Sequence, residues 1–159
     1  MKASSALPRV GVLFFCLSSL FLAGKYALGV CSDGSCSVTA DSAAAAVTAP
    51  TGSCPSLTVG HSYTVSSSHT FIANKTSGNN LSCSMNWTAT LRTDEGVSQS
   101  LNVQHNNVAT LNGSCGPVSF GDSISRTYTV PVSGSYNVNA ETAGGGKSDL
   151  DPFCFTASP

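Results

Sequence analysis

Charge is scarce in this chain: Asp, Glu, Lys and Arg make up 9% of its 159 residues, against about 25% in an ordinary soluble domain. Helix surfaces usually carry Glu, Lys and Arg. A chain that covers itself with Ser, Thr, Asn and Gly instead suits strands and exposed loops. Basic residues are especially few. Lys2, Arg9 and Lys25 precede residue 30, which leaves Lys75, Arg92, Arg126 and Lys147 against eight acids and a net charge of −4. No basic stripe is present for a nucleic acid or another polyanion.

Long apolar runs are nearly absent too. The one example is 10–23, VGVLFFCLSSLFLA, preceded by Lys2 and Arg9 and followed by small residues around Tyr26-Ala27-Leu28-Gly29. A positive start, a short apolar run and a small-residue cut site describe a secretory signal peptide. The expectation is a signal peptide over 1–29, cleaved before Val30. The run is short for a membrane span of about 20 residues, and serines interrupt it. No second run of spanning length follows, and the terminal DLDPFCFTASP lacks the hydrophobic tail of a lipid-anchor signal. Once the signal is cut, the chain is expected to have no membrane span and to be secreted.

Catalytic and metal signatures are also missing. No G-x-S-x-G turn occurs. Gly144-Gly145-Gly146-Lys147-Ser148 imitates the end of a phosphate-binding loop, but Glu141 stands where that loop needs its first glycine. The glycine run therefore reads as a flexible loop. Cys31 and Cys36 have no second Cys or His pair to complete a zinc site. Asp149 and Asp151 are too few oxygens for calcium, so they read as an acidic turn before Pro152. No spacing among the acids selects an acid–base pair. No cofactor or metal is called for, and no residue is assigned a catalytic role.

What the chain does have is cysteine. Cys16 leaves with the signal, and Cys31, Cys36, Cys54, Cys83, Cys115 and Cys154 remain. An even number in a secreted chain of this size indicates disulfides. Six cysteines allow 15 connectivities. A local Cys31–Cys36 bridge around an Asp-Gly turn is expected, with the other four joining distant parts.

The second thing present is strand periodicity. In 81–92, LSCSMNWTATLR, odd positions are Leu, Cys, Met, Trp, Ala and Leu, and even positions are Ser, Ser, Asn, Thr, Thr and Arg. An unbroken period of two marks a strand with one buried face. A turn at 93–96, a weaker strand over 97–104, a turn at Asn106-Asn107 and a return strand over 108–111 are predicted next. Ser123–Val130 is a further strand, limited by Pro131, and Tyr136, Val138 and Ala140 alternate after a turn at Ser133-Gly134. Weaker candidates are 62–65, 70–74 and 153–156. About eight short strands without crossover helices predict an all-β, disulfide-braced antiparallel sandwich over 56–159. The alanine-rich segment 30–55 lacks large apolar side chains and is expected to be a flexible stalk.

Of three histidines, His61 shares a phase with Leu57, Val59 and Tyr63 and is expected in the core, whereas His69 and His105 are expected to be solvated. Four N-glycosylation sequons begin at Asn74, Asn80, Asn86 and Asn112. Asn80 and Asn86 lie on the polar phase of the best strand, as an attached glycan requires. Trp87 is the natural sugar platform, but its inward phase assigns it to the core. The expected function is a secreted, non-enzymatic binding protein, effector-like or associated with a cell surface or wall. Its partner would be an extracellular protein or a glycan, so carbohydrate recognition falls within this reading. The alternatives are a small hydrolase built on scattered Ser, His and Asp, and a protease inhibitor using the loop 112–117.

Overall fold

The computed structural model describes residues 34–48, 54–94 and 101–159. The expected signal peptide with its cut site, Cys31, the far half of the 93–96 turn and the start of the strand expected from 97 lie outside the described residues. The described chain is all β: β1 (Ser37–Thr48), β2 (Ser56–Thr58), β3 (Ser62–Ser77), β4 (Cys83–Thr93), β5 (Asn102–Leu111), β6 (Gly116–Thr129), β7 (Gly134–Gly144) and β8 (Lys147–Ser158). One sheet has the order β1-β3-β6 and the other β2-β8-β7-β4-β5. Side chains from both sheets meet in one core that includes Phe71, Trp87, Leu91, Ile124, Val138 and Phe155. Every strand pair is antiparallel except the short β2–β8 contact.

In β4 the alternation read from sequence is realised. Cys83, Trp87, Ala89 and Leu91 are buried, while Ser84, Asn86 and Arg92 are exposed. Leu81 belongs to the preceding turn and is 47% exposed. Elsewhere strands are longer than predicted, for a consistent reason. The candidates at 62–65 and 70–74 are one strand, β3, interrupted in pattern only because Ser67 and His69 occupy buried positions. The expected turn at Asn106-Asn107 does not exist. β5 runs straight through it, with His105 and Asn107 at half-buried positions between Val103 and Ala109. Polar side chains facing inward broke the apolar period without breaking the strand.

The expected stalk is also corrected. Ser37–Thr48 is a full strand paired with β3 from Ser37↔Ser77 to Thr48↔Ser66. Alanine is a poor strand former by itself, so pairing and packing hold this strand. A register shift between Ala40 and Ser42 marks a bulge, and the inward phase moves from Val38 and Ala40 to Ala43, Ala45 and Val47. The packed domain therefore includes residues N-terminal to Cys54.

The local Cys31–Cys36 bridge is likewise corrected: Cys36 is bonded to Cys83, joining the start of β1 to the start of β4. Cys54 is bonded to Cys154 across a sequence separation of 100 residues, and Cys115 is disulfide-bonded too. Long-range bridges of this kind each contribute about 2–4 kcal/mol. The glycine run is no flexible loop. Gly144 pairs with Lys147, and Gly145 and Gly146 have φ of 55° and 80°, the two positive values that a tight type I′ hairpin needs.

Candidate functional site

The groups with chemical potential lie where the inward face is polar. His69 on β3 is 2% exposed and Ser67 is 3% exposed. Ser67 Oγ lies 2.7 Å from His69 Nε2, and His69 Nδ1 lies 3.0 Å from Thr142 Oγ1 on β7. Thr142 donates its own hydroxyl proton to Ala44 O on β1, at 2.8 Å. It must then accept from Nδ1–H, which fixes the tautomer and makes Ser67 the donor to Nε2. The result is a proton-ordered chain through the core, Ser67 to His69 to Thr142 to β1. Burial pushes the His69 pKa down against the opposing charge of Asp122, and its electrostatic interaction with His105 lowers it further.

A second cluster joins the free edges of the two sheets. Asp122 on β6 is the cross-strand neighbour of His69. Its Oδ2 accepts from Asn107 Nδ2 at 2.7 Å and pairs with His105 Nδ1 at 2.9 Å, both from β5. The Ser123 amide donates to Oδ1 at 2.7 Å. Burial works to raise the Asp122 pKa, but the bonds from Asn107, His105 and Ser123 outweigh it and hold the carboxyl below its ordinary value.

A third cluster closes the opposite seam. Asp149 and Asp151 on β8 accept the backbone amides of Ala45 at 2.8 Å and Val47 at 2.7 Å. These carboxylates act as hydrogen-bond acceptors that substitute for a neighbouring strand along the outer edge of β1. Among the described residues, no group of three or more His, Cys, Asp or Glu could hold a metal ion.

The remaining expected residues fall out as follows. His61 is exposed and His69 is buried, the reverse of the sequence reading. His105 is half-buried in the seam rather than solvated at a strand end. Trp87 is 3% exposed and stacked on Phe71, so it offers no sugar platform. Asn80, Asn86 and Asn112 are exposed, and Asn74 is half-buried. The stretch 112–117 is no free reactive loop. It is a short link from β5 into β6, whose Gly113 carbonyl accepts from the Asn80 amide at 3.2 Å and from Lys75 Nζ at 2.7 Å. Lys75, 1% exposed, also donates to the Leu81 carbonyl, so one buried ammonium braces both turns.

One cleft opens between the sheets, of about 320 Å³ including space open to solvent, and Leu57, Tyr63, Val65, Tyr128, Phe153 and Phe155 are among its walls. It contains no charged side chain. No local motif points to Ser67, Thr142, Asn107 or Asp122. The available signal was parity: each shares the inward phase of its strand with apolar residues.

No family model matches the chain, and no curated protein matches it. Among solved structures it is similar to part of a beta-glucosidase from Listeria innocua. In complex with glucose the match has a TM-score of 0.37, 14% identity, and covers 76% of this chain but 16% of that one. A mutant of that enzyme in complex with laminaribiose gives a TM-score of 0.34 at 14% identity, again over 76% and 16% of the two chains. The chain thus spans a small fraction of those enzymes, and likeness at this level says nothing of its function.

Proposed function

We propose that this chain is a secreted, non-enzymatic binding protein of the extracellular space, effector-like or held at a cell surface or wall. Its partner is an extracellular protein or a glycan. The disulfides suit an oxidising compartment, and no helix among the described residues is long and apolar enough to cross a membrane. The observation that carries the non-enzymatic reading is the burial of the best nucleophile–base pair. Ser67 and His69 have the contact of an activated serine, yet they are 3% and 2% exposed. An acyl-transfer site needs its nucleophile open to substrate and beside oxyanion donors. Asp94, Asp122, Asp149 and Asp151 spend their carboxylates on contacts between strands.

The surface offered for binding is the outer face of the five-stranded sheet. Arg92, Asn102, Gln104 and Asn137 are exposed there, with Asn139 and Glu141 half-buried beside them. Arg92 and Glu141 form its ion pair at 3.6 Å. Outward side chains on these paired strands are mostly amides and hydroxyls, with Leu150 exposed beside Glu141. Such a face suits recognition by hydrogen bonds rather than by aromatic stacking.

The test is to screen the oxidised, purified protein against extracellular proteins and glycans, alongside Gln104→Arg and Asn102→Arg. The expected result is saturable binding that these variants weaken without changing the melting temperature. Turnover of an ester, peptide or glycoside that disappears in a folded Ser67→Ala protein would overturn the reading in favour of a hydrolase.

A further inference from the structure

The sequons differ in where the fold puts them. Asn80 and its Ser82 are both exposed in the turn between β3 and β4, and Asn112 and its Ser114 are both exposed in the turn between β5 and β6. The two turns touch, through the Asn80 amide on Gly113 O and through Lys75. Asn86 is exposed on the outer face of β4. Asn74 is different. It is half-buried on β3, the middle strand of its sheet, between Thr39 and Pro117, and the Thr76 hydroxyl of its sequon is bonded to Ser37 O at 3.3 Å.

Two of the exposed large apolar side chains among the described residues lie at the same end of the molecule. Val108, 58% exposed, is the direct cross-strand partner of Asn86, and Leu81, 47% exposed, follows Asn80. Cross-strand partners stand about 4.5–5.5 Å apart at Cβ, so the first sugar on Asn86 would lie against Val108.

We propose that Asn80, Asn86 and Asn112, and not Asn74, carry N-glycans, and that these glycans form one cover over Leu81 and Val108 at this end of the sandwich. The proposal rests on the secretion reading. It directs the partner to the bare far half of the sheet face, around Arg92, Gln104 and Glu141. Asn74 stands on the outward phase of β3 but is half-buried between its neighbours, and its sequon's Thr76 hydroxyl is already bonded to Ser37 O, so it is less accessible than the other three. The three exposed asparagines accept one without moving the backbone.

The experiment is expression of the full chain in a eukaryotic secretory host. Enzymatic deglycosylation in heavy-oxygen water then labels each formerly glycosylated Asn as a heavy Asp in peptide mass spectra. Label at Asn80, Asn86 and Asn112 with Asn74 unmodified is the expected result. Label at Asn74 comparable to the others, or secreted protein bare at the three, overturns the assignment. A product retained in the cell with Met1 intact overturns the secretion reading itself, and its uncleaved N-terminus distinguishes that failure. The cover is tested separately by deglycosylating the native protein with a neutral apolar dye present. Dye fluorescence should rise severalfold, and much less when Val108→Gln and Leu81→Thr are combined. No rise, or the same rise in that variant, overturns the cover.

Discussion

Replacing Trp87 by alanine empties the centre of the core. The indole is 3% exposed and stacks on Phe71 with ring centroids 5.6 Å apart and planes 10° from parallel. Truncating a buried Trp costs about 3–5 kcal/mol through lost transfer energy and the cavity left behind. One term opposes this. Among the described residues the indole N–H has no hydrogen-bond partner, and such an unmade buried bond costs the folded state about 1–3 kcal/mol. Removing it returns part of the loss, and from the middle of each range Trp87→Ala should destabilise by about 2 kcal/mol. Trp87→Phe keeps a ring against Phe71 and also removes the orphan donor, so it should cost less than about 1.5 kcal/mol. Urea unfolding followed by far-ultraviolet circular dichroism is the right assay, because Trp87 is the sole tryptophan and its fluorescence vanishes in both variants. A loss below about 0.5 kcal/mol for Trp87→Ala would refute core burial, since surface substitutions fall within that range. Equal losses for the two variants would refute the role given to the N–H group.

Tyr128 presents a related case: its buried hydroxyl has no partner among the described residues, and burial, with Tyr136 nearby, pushes its pKa up. Tyr128→Phe should therefore leave the urea midpoint unchanged or raise stability by up to about 1 kcal/mol. His69 takes up a proton less readily when folded than at its ordinary value of 6.5, so the unfolded chain gains more protons as pH falls and stability drops below about pH 6.5. Asp122, held below its ordinary 3.8, contributes stability above that value which is lost as pH falls through its folded pKa. Urea midpoints at pH 7.5 and 5 should differ in the natural protein and differ less in His69→Gln. Asp149→Ala and Asp151→Ala should each cost about 1–2 kcal/mol, as lost hydrogen bonds to a charged group. Hydrogen exchange should quicken at the amides of Ala45 and Val47 respectively, and unchanged exchange would show that these carboxylates do not hold β1.

Legibility in the sequence followed the apolar period. β4 was readable because Cys83, Trp87, Ala89 and Leu91 alternate with polar residues, and the limit at Pro131 was readable because β6 ends at Thr129. β3 and β5 were read as fragments because Ser67, His69, His105 and Asn107 occupy inward positions, where a hydropathy pattern registers a break. Their partners, Thr142 and Asp122, lie 73 and 17 residues away from His69 and His105, and nothing local in the chain announces them. β1 was missed for the opposite reason. Its inward side chains are mostly alanine, too small to mark a buried phase, and its outer edge is satisfied by carboxylates 104 residues distant.

Those carboxylates explain how a chain so poor in charge uses the few it has. A two-sheet sandwich leaves strand edges whose free amides and carbonyls invite pairing with another chain. Here Asp149 and Asp151 occupy amides along the outer edge of β1. Asp122 faces inward between β6 and β5 and ties the two free edges together through His105 and Asn107. Asp94 accepts from Asn137 and Asn139, securing the end of β4 to β7. With four aspartates committed to strand edges and ends, little formal charge is left to keep the outer faces in solution. Hydroxyl and amide side chains must do that, and they leave Val108 and Leu81 uncovered at the end where Asn80, Asn86 and Asn112 are exposed. Glycans at those asparagines would supply there the hydration that charged side chains supply in other domains.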